Sequence, residues 1–287
     1  MASSTLQLLR FPFSFFLLPI YLFALGQVPV INWPHAILVF FILHILVYPA
    51  SNGYNSYMDK DESSIGGIEK PQQPTRELFF VTVAMDLAGL LLSLLISKWF
   101  ALGILLYILA SRAYSFRGIR LKKYPVIGYL TVVVFQGALV YWLAYYGSGH
   151  LQPGEFPATC MLASSLLIGG SYPLTQVYQH EEDAKDGVTS ISRLLGYRGT
   201  FIFCGFVYSL AFGVLGWQFF RQGEQTKPLL LATCMLPVLV YFFIWARKVW
   251  NDTRAADFRH AMRMNWLAGY CSNAGFLLLL ILKIAGN

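Results

Sequence analysis

Charge is what this sequence has least of. Asp, Glu, Lys and Arg make up only 12% of its 287 residues, while 56% are hydrophobic. A soluble domain carries about 25% charged residues. So small a supply cannot cover a water-facing surface, which excludes an ordinary soluble enzyme. Cysteine is scarce too. Cys160, Cys204, Cys234 and Cys271 all fall in apolar stretches, with no CxxC pair and no ligand spacing. That excludes a disulfide scaffold or a thiolate metal centre and leaves buried, inert thiols. Alternation of polar and apolar residues with period two is missing, which excludes a transmembrane β-barrel.

What remains is long apolar runs. Nine are counted: Phe11–Val30, His35–Ala50, Phe79–Ile96, Trp99–Ser111, Pro125–Tyr146, Ala158–Leu174, Thr200–Phe220, Pro228–Trp245 and Trp266–Ile284. Runs approaching 20 residues predict membrane-spanning helices. The expected fold class is therefore all-α: a polytopic membrane protein of nine transmembrane helices, in two pseudo-repeated halves of a single domain covering residues 1–287. Arg10 ahead of the first run resembles a signal peptide only weakly, because Ala24-Leu25-Gly26 is a poor cleavage site, so the run is read as a retained first span.

The formal net charge of +7 follows the same pattern. With the N-terminus on the cytoplasmic side and nine alternating spans, 17 of the 21 basic residues fall on that side and four on the other. This is positive-inside asymmetry, and it explains the basic excess by the lipid bilayer with no nucleic acid as partner. It places the protein as a multi-pass integral membrane protein (of the inner membrane if the cell is bacterial), with its longer polar loops cytoplasmic.

Acid is scarcer still, and it is clustered. Seven of 14 acidic residues lie in two nine-residue windows, Asn55–Ser63 and Tyr178–Asp186, directly after the second and sixth runs. Read as helical extensions, Asn55, Asp59 and Ser63 share one face at i, i+4 and i+8, with Asp61 and Glu62 beside them; Gln179 and Asp183 share another, and Asp186 stacks with Glu182 and Asp183. Carboxylates stacked this way repel unless a cation intervenes. Hard oxygen donors suit Mg²⁺, which takes one or two carboxylates plus phosphate oxygens and water. Two such clusters, one per half, could hold a diphosphate. The basic run Tyr114–Lys123 after the fourth segment would neutralise charge on a departing phosphate. An acid inside a span is costly and often functional, which marks Asp86; His44 in the second span is the other in-span candidate. The solvated-loop reading of either acidic window alone is bland and common. Two matching windows make it less so.

At these residues the chain resembles the UbiA superfamily of membrane prenyltransferases. That family carries N-x-x-x-D-x-x-x-D after its second helix, followed by K-P-x-R-P; here stand Asn55, Asp59, Ser63 and then Lys70-Pro71-Gln72-Gln73-Pro74. Its second motif, D-x-x-x-D followed by G-x-x-T-[LI]-x-x-x-L-G, is met by Gln179, Asp183 and Gly187 to Gly196. Its Y-S-x-x-x-x-R-L-K segment is met by Tyr114, Ser115, Arg120 and Lys122. Ser63, Gln179 and Gln73 depart from the family residue. The resemblance implies an enzyme: a Mg²⁺-dependent prenyltransferase joining a prenyl group from a prenyl diphosphate to an aromatic or other lipophilic acceptor. It implies metal binding by Asn55, Asp59 and Asp183, and catalysis by Asp59, Asp183, Lys122 and Tyr114. The implied substrate contacts are Asn55, Asp61, Glu62, Ser63, Lys70, Arg120, Gln179, Glu182 and Asp186; separately, their place inside a span makes Asp86 or His44 the candidate contact to the acceptor. The alternatives are a prenyl-lipid-binding protein of the same fold without turnover, and a small-molecule transporter. A transporter would place its charges at mid-membrane, whereas here only Asp86 lies deep.

Overall fold

A computed structural model describes residues 1–149 and 152–286. Among these residues the chain is helical throughout, with no strand beyond one isolated bridge between Ile65 and Ile68. A short helix α1 (Ser3–Leu9) leads through a 3-10 turn at Phe11–Phe16 into α2 (Leu18–Gln27). Then follow α3 (Trp33–Asp59), α4 (Arg76–Ser93), α5 (Lys98–Ser115), α6 (Pro125–Gly147), α7 (Ala158–Ser171), the short α8 (His180–Lys185), α9 (Ile191–Arg221), α10 (Thr226–Asn251) and α11 (Phe258–Gly286).

Each of the nine apolar runs is helical in the structure. Five helices among the described residues, α3, α6, α9, α10 and α11, are long and apolar enough by themselves to cross a membrane, or six if the bent pair Ser3–Phe16 and Leu18–Gln27 is one span. The expected count of nine transmembrane helices is therefore not confirmed: among the described residues five or six helices meet the length and composition of a span. Helix α4 carries Arg76, Glu77 and Asp86, and α7 is only 14 residues long. The outer faces expose large apolar side chains such as Phe80, Leu91, Leu95 and Phe243. On a water-soluble monomer such continuous apolar surface would aggregate; facing lipid, it is the expected exterior.

Local chemistry sets where the helices begin and end. Asn32 caps α3 by accepting from the His35 amide at 3.3 Å, with Pro34 in the first turn. At the other end Lys60 takes a left-handed conformation (φ 55°) and stops the helix just after Asp59. Ser97 caps α5 and Ser190 caps α9 in the same manner as Asn32. Helix α9 is broken at Gly196 (φ 69°), a conformation glycine adopts at little cost.

The helices close into a ring. Helix α7 packs between α6 and α9, α11 packs against α10 and α2, and α2 returns to α6. The α6–α7 approach is close: a Cβ at Gly137 would lie 2.5 Å from the Cα of Ser165. The main apolar core joins residues of α2, α3, α5, α6 and α7, among them Phe23, Tyr48, Phe100 and Tyr141. A second core gathers around Phe201, Phe242 and Trp245. A cavity is lined by residues of the first core, among them Ile20, Val132, Leu215 and Phe276.

Candidate functional site at the acidic end of the cavity

The cavity has a volume of about 320 Å³, and both acidic windows open into it. Asn55 and Asp59 reach it from the last turn of α3, Asp61 from the loop beyond, and Gln179 and Asp183 from the segment that ends in α8. Lys122 and Tyr114 line it from the α5–α6 side. The rest of the wall is largely apolar, with Ile20, Val132, Phe135, Leu167, Phe212 and Phe276 among its residues.

Asp59 is the centre of this end. Its side chain is 3% exposed and faces three groups. The Asn55 amide donates to Asp59 Oδ2 at 2.8 Å, the Lys122 ammonium sits 2.5 Å from the same oxygen, and the Arg120 guanidinium lies 3.8 Å from Oδ1. Asn55 also donates to the Ser115 hydroxyl at 3.0 Å. The one-turn spacing of Asn55 and Asp59 on a single helix makes the first contact possible. Arg120 continues on to an ion pair with Asp186, so it ties the first acidic window to the second.

The remaining carboxylates have fewer countercharges. Burial, helped by neighbouring Asp59, pushes the Asp61 carboxyl up to about 6 even though Lys122 and Arg10 draw it down. Burial likewise raises Asp183, against the pull of a hydrogen bond with Ser190 and the nearby Lys122 and Arg193. A carboxylate raised in this way gains from a cation brought by a ligand.

Among the described residues, three other than glycine have positive φ, and all lie in or beside the segments that carry the acidic end: Arg10 (50°), Lys60 (55°) and Arg120 (52°). Each left-handed residue costs about 1 kcal/mol or more. Arg120 places its guanidinium between the two windows by this turn. Arg10 was read from the sequence only as a charge ahead of the first span. In the structure it is buried, lines the cavity, and donates to the carbonyls of Asn52 (3.0 Å) and Gly66 (3.4 Å). Nothing in a lone arginine before an apolar run separates a ligand-facing group from an anchor. Tyr172, Gln176 and Tyr178 were missed as well. They line the cavity because Pro173 ends α7 and the chain proceeds in two 3-10 turns toward α8.

The structure does not bring every expected residue to the cavity. Ser63 does not share the face of Asn55 and Asp59, because α3 ends at Asp59. Glu62 and Lys70 are exposed, and neither they, Ser63 nor Glu182 line the cavity. Glu182 pairs with Lys185 at 3.4 Å instead. Asp86 is off the cavity and forms an ion pair with Arg112 of α5, whose guanidinium also stacks 3.8 Å over Tyr54. His44 stacks on Phe40 with ring centroids 4.7 Å apart, again away from the cavity.

Whether a divalent cation fits can be judged on the donors. Among the described residues no three His, Cys, Asp or Glu side chains gather as a metal-binding group. Yet Asp59, Asp61 and Asp183 all line one cavity, and Asp59 Oδ1 is buried without a hydrogen-bond partner. Hard oxygen donors of this number suit Mg²⁺ when phosphate oxygens complete its shell. Asn55, Asp59, Asp61 and Asp183 would hold it.

Against known proteins, residues 14–268 match the sequence model of the UbiA prenyltransferase family. No functionally curated relative matches the chain in sequence. Among solved structures, the chain resembles a UbiA homolog from Archaeoglobus fulgidus bound to DMAPP and Mg²⁺: TM-score 0.70, 20% identity, 97% of this chain and 99% of that one covered. A UbiA homolog from Aeropyrum pernix K1 in its apo form gives TM-score 0.70 at 18% identity, covering 94% and 98%. A structure described for digeranylgeranylglyceryl phosphate synthase gives 0.63 at 19%, covering 98% of each chain. Identities this low establish a common fold.

Proposed function

The chain belongs to the UbiA prenyltransferase family, and from that premise we propose that it moves a prenyl group from a prenyl diphosphate to a lipophilic acceptor within the membrane. One observation carries the reading. Three carboxylates and two cations, Asp59, Asp61, Asp183, Lys122 and Arg10, meet at one end of a cavity whose other walls are mostly apolar. A diphosphate with a greasy tail has that same division of polarity. The structures of relatives bound to DMAPP or GPP with Mg²⁺ support it.

In this reading the C1–O bond of the prenyl diphosphate breaks and its electron pair leaves with pyrophosphate. A carbon or oxygen of the acceptor forms the new bond to C1 and releases a proton. Lys122 and Arg10 face the diphosphate oxygens, where charge builds up. Asn55 orients Asp59, and Arg120 holds the two acidic windows at a fixed separation. Tyr114 lies beside the reacting carbon. The apolar walls exclude water, which would otherwise capture C1. Bound Mg²⁺ supplies further neutralisation of the departing diphosphate.

The test uses the purified full chain with Mg²⁺, labelled geranyl diphosphate and a panel of acceptors, repeated with Asp59→Ala and Asp183→Ala. Pyrophosphate release abolished or strongly reduced by both supports the site; release that survives both substitutions sinks it. A second reading is favoured by Ser63 and Gln179, which leave each motif one carboxylate short. There the protein retains a prenyl lipid without turning it over. Tight retention of the labelled lipid with no pyrophosphate would decide for it.

A further inference from the structure

Next to the acidic windows the cavity holds a chain of neutral polar groups. The Gln176 amide donates to the Tyr172 hydroxyl at 2.9 Å, and that hydroxyl is hydrogen-bonded to Tyr114. Gln176 is 9% exposed, and its Oε1 is buried with no partner. Asn265 of α11 lines the same cavity with its amide nitrogen buried and unpartnered. Whichever way the Gln176 amide is turned, one of its polar atoms is left open. A buried polar atom without a partner costs about 1–3 kcal/mol.

We propose that the acceptor carries an uncharged, hydroxyl-bearing head group, held by Gln176 and the Tyr172–Tyr114 pair; this rests on the prenyl-transfer reading above. Charge leads to it. Among the described residues the cations lining the cavity are Arg10 and Lys122, against the carboxylates of Asp59, Asp61 and Asp183. Both cations stand at the acidic end, where a diphosphate brings several negative charges of its own. Other arginines nearby are engaged elsewhere: Arg120 with Asp59 and Asp186, Arg112 with Asp86. A carboxylate or phosphate on the acceptor would enter with no cation to face it, and an unpaired buried charge is far costlier than a buried hydroxyl. Hydrogen bonding agrees. A hydroxyl both donates and accepts, so it satisfies Gln176 in either orientation and Tyr114 together. A carboxylate only accepts.

Matched acceptors test this on the purified full chain with Mg²⁺ and labelled geranyl diphosphate: 1,4-dihydroxynaphthalene against 1,4-dihydroxy-2-naphthoate, and 4-hydroxybenzyl alcohol against 4-hydroxybenzoate. The expected result is a kcat/KM at least about tenfold higher for the neutral member of a pair. Gln176→Leu should raise the KM for the neutral acceptor about tenfold while changing that for geranyl diphosphate far less. Equal or better use of the carboxylate member overturns the inference. Pyrophosphate release without prenylation of either member also overturns it, but leaves the prenyl-transfer reading standing. No pyrophosphate release with any acceptor overturns that reading itself.

Discussion

The two acidic windows face one cavity, yet they are neutralised by different means. In the first, Asp59 draws its countercharges from the chain: Lys122 at 2.5 Å, Arg120 at 3.8 Å and the Asn55 amide at 2.8 Å. In the second, Asp183 has the Ser190 hydroxyl and only the more distant fields of Lys122 and Arg193, and burial raises it. Asp61 belongs to the first window by sequence but resembles the second in its surroundings. Asp59 is thus held in place before any ligand arrives. In the proposed reading, Asp61 and Asp183 would gain most from a cation that comes with the ligand.

The largest effect should come from the held carboxylate. Asp59→Ala removes it and leaves Lys122 and Arg120 facing each other without their anion. We expect kcat/KM to fall about 10³-fold, and Asp183→Ala to cost nearer 10²-fold. Single-turnover pyrophosphate release measures both. Equal losses would break the contrast between the windows.

Next comes pH. Asp61 sits near 6 in the folded chain against an ordinary value of 3.8. Below about 6 it binds a proton that a divalent cation must displace, so Mg²⁺ affinity should rise as pH climbs through 6 and level off above it. The sign for stability is opposite. A raised carboxyl contributes stability below its unfolded value, and this is lost as pH rises from about 4 to about 6. Metal-free protein should therefore melt lower at pH 7 than at pH 5, and Mg²⁺ should narrow that gap. Asp61→Asn should flatten both profiles. If that variant keeps the wild-type slope, the ionisation belongs to another group.

A smaller effect tests the missing carboxylate directly. Gln179→Asp should tighten Mg²⁺ binding about tenfold, since Mg²⁺ and Ca²⁺ sites strengthen with ligand charge. Isothermal titration with Mg²⁺ and pyrophosphate reads it. No change would mean that the neutral amide at Gln179 is not what weakens the second window.

Much of this was legible in the sequence, and the misses have physical causes. Asn55 and Asp59 were readable because a fixed helical spacing brings them together, and Arg120 and Lys122 because a basic run followed a helix end. Ser63 was misplaced because nothing in Asp59-Lys60-Asp61 announces that Lys60 will turn left-handed and end α3. Asp86 stood out as a deep acid, but its partner Arg112 lies 26 residues away and meets it only once α4 packs on α5. Arg10 was hidden for the reverse reason: its role depends on where the loop around Gly66 folds. Tyr172 and Gln176 depend on the break at Pro173, whose direction no periodicity gives. The apolar runs fixed helicity everywhere, while short or charged helices such as α7 and α4 hid how many of them cross the membrane.

The smallest effect is expected at the acids that the fold leaves outside the cavity. Glu62 is exposed, and Glu182 is engaged with Lys185 at 3.4 Å in a solvent-facing pair. Such pairs contribute about 0.3–0.5 kcal/mol, and salt screens them. Glu62→Gln and Glu182→Gln should each leave kcat/KM and the Mg²⁺ dependence within about twofold of the parent. A tenfold loss at either would mean that its loop swings inward when substrate binds, adding a carboxylate to the cavity. Were it Glu182, the second window would acquire its held charge only in the bound state, and the contrast with Asp59 would become one of timing rather than of composition.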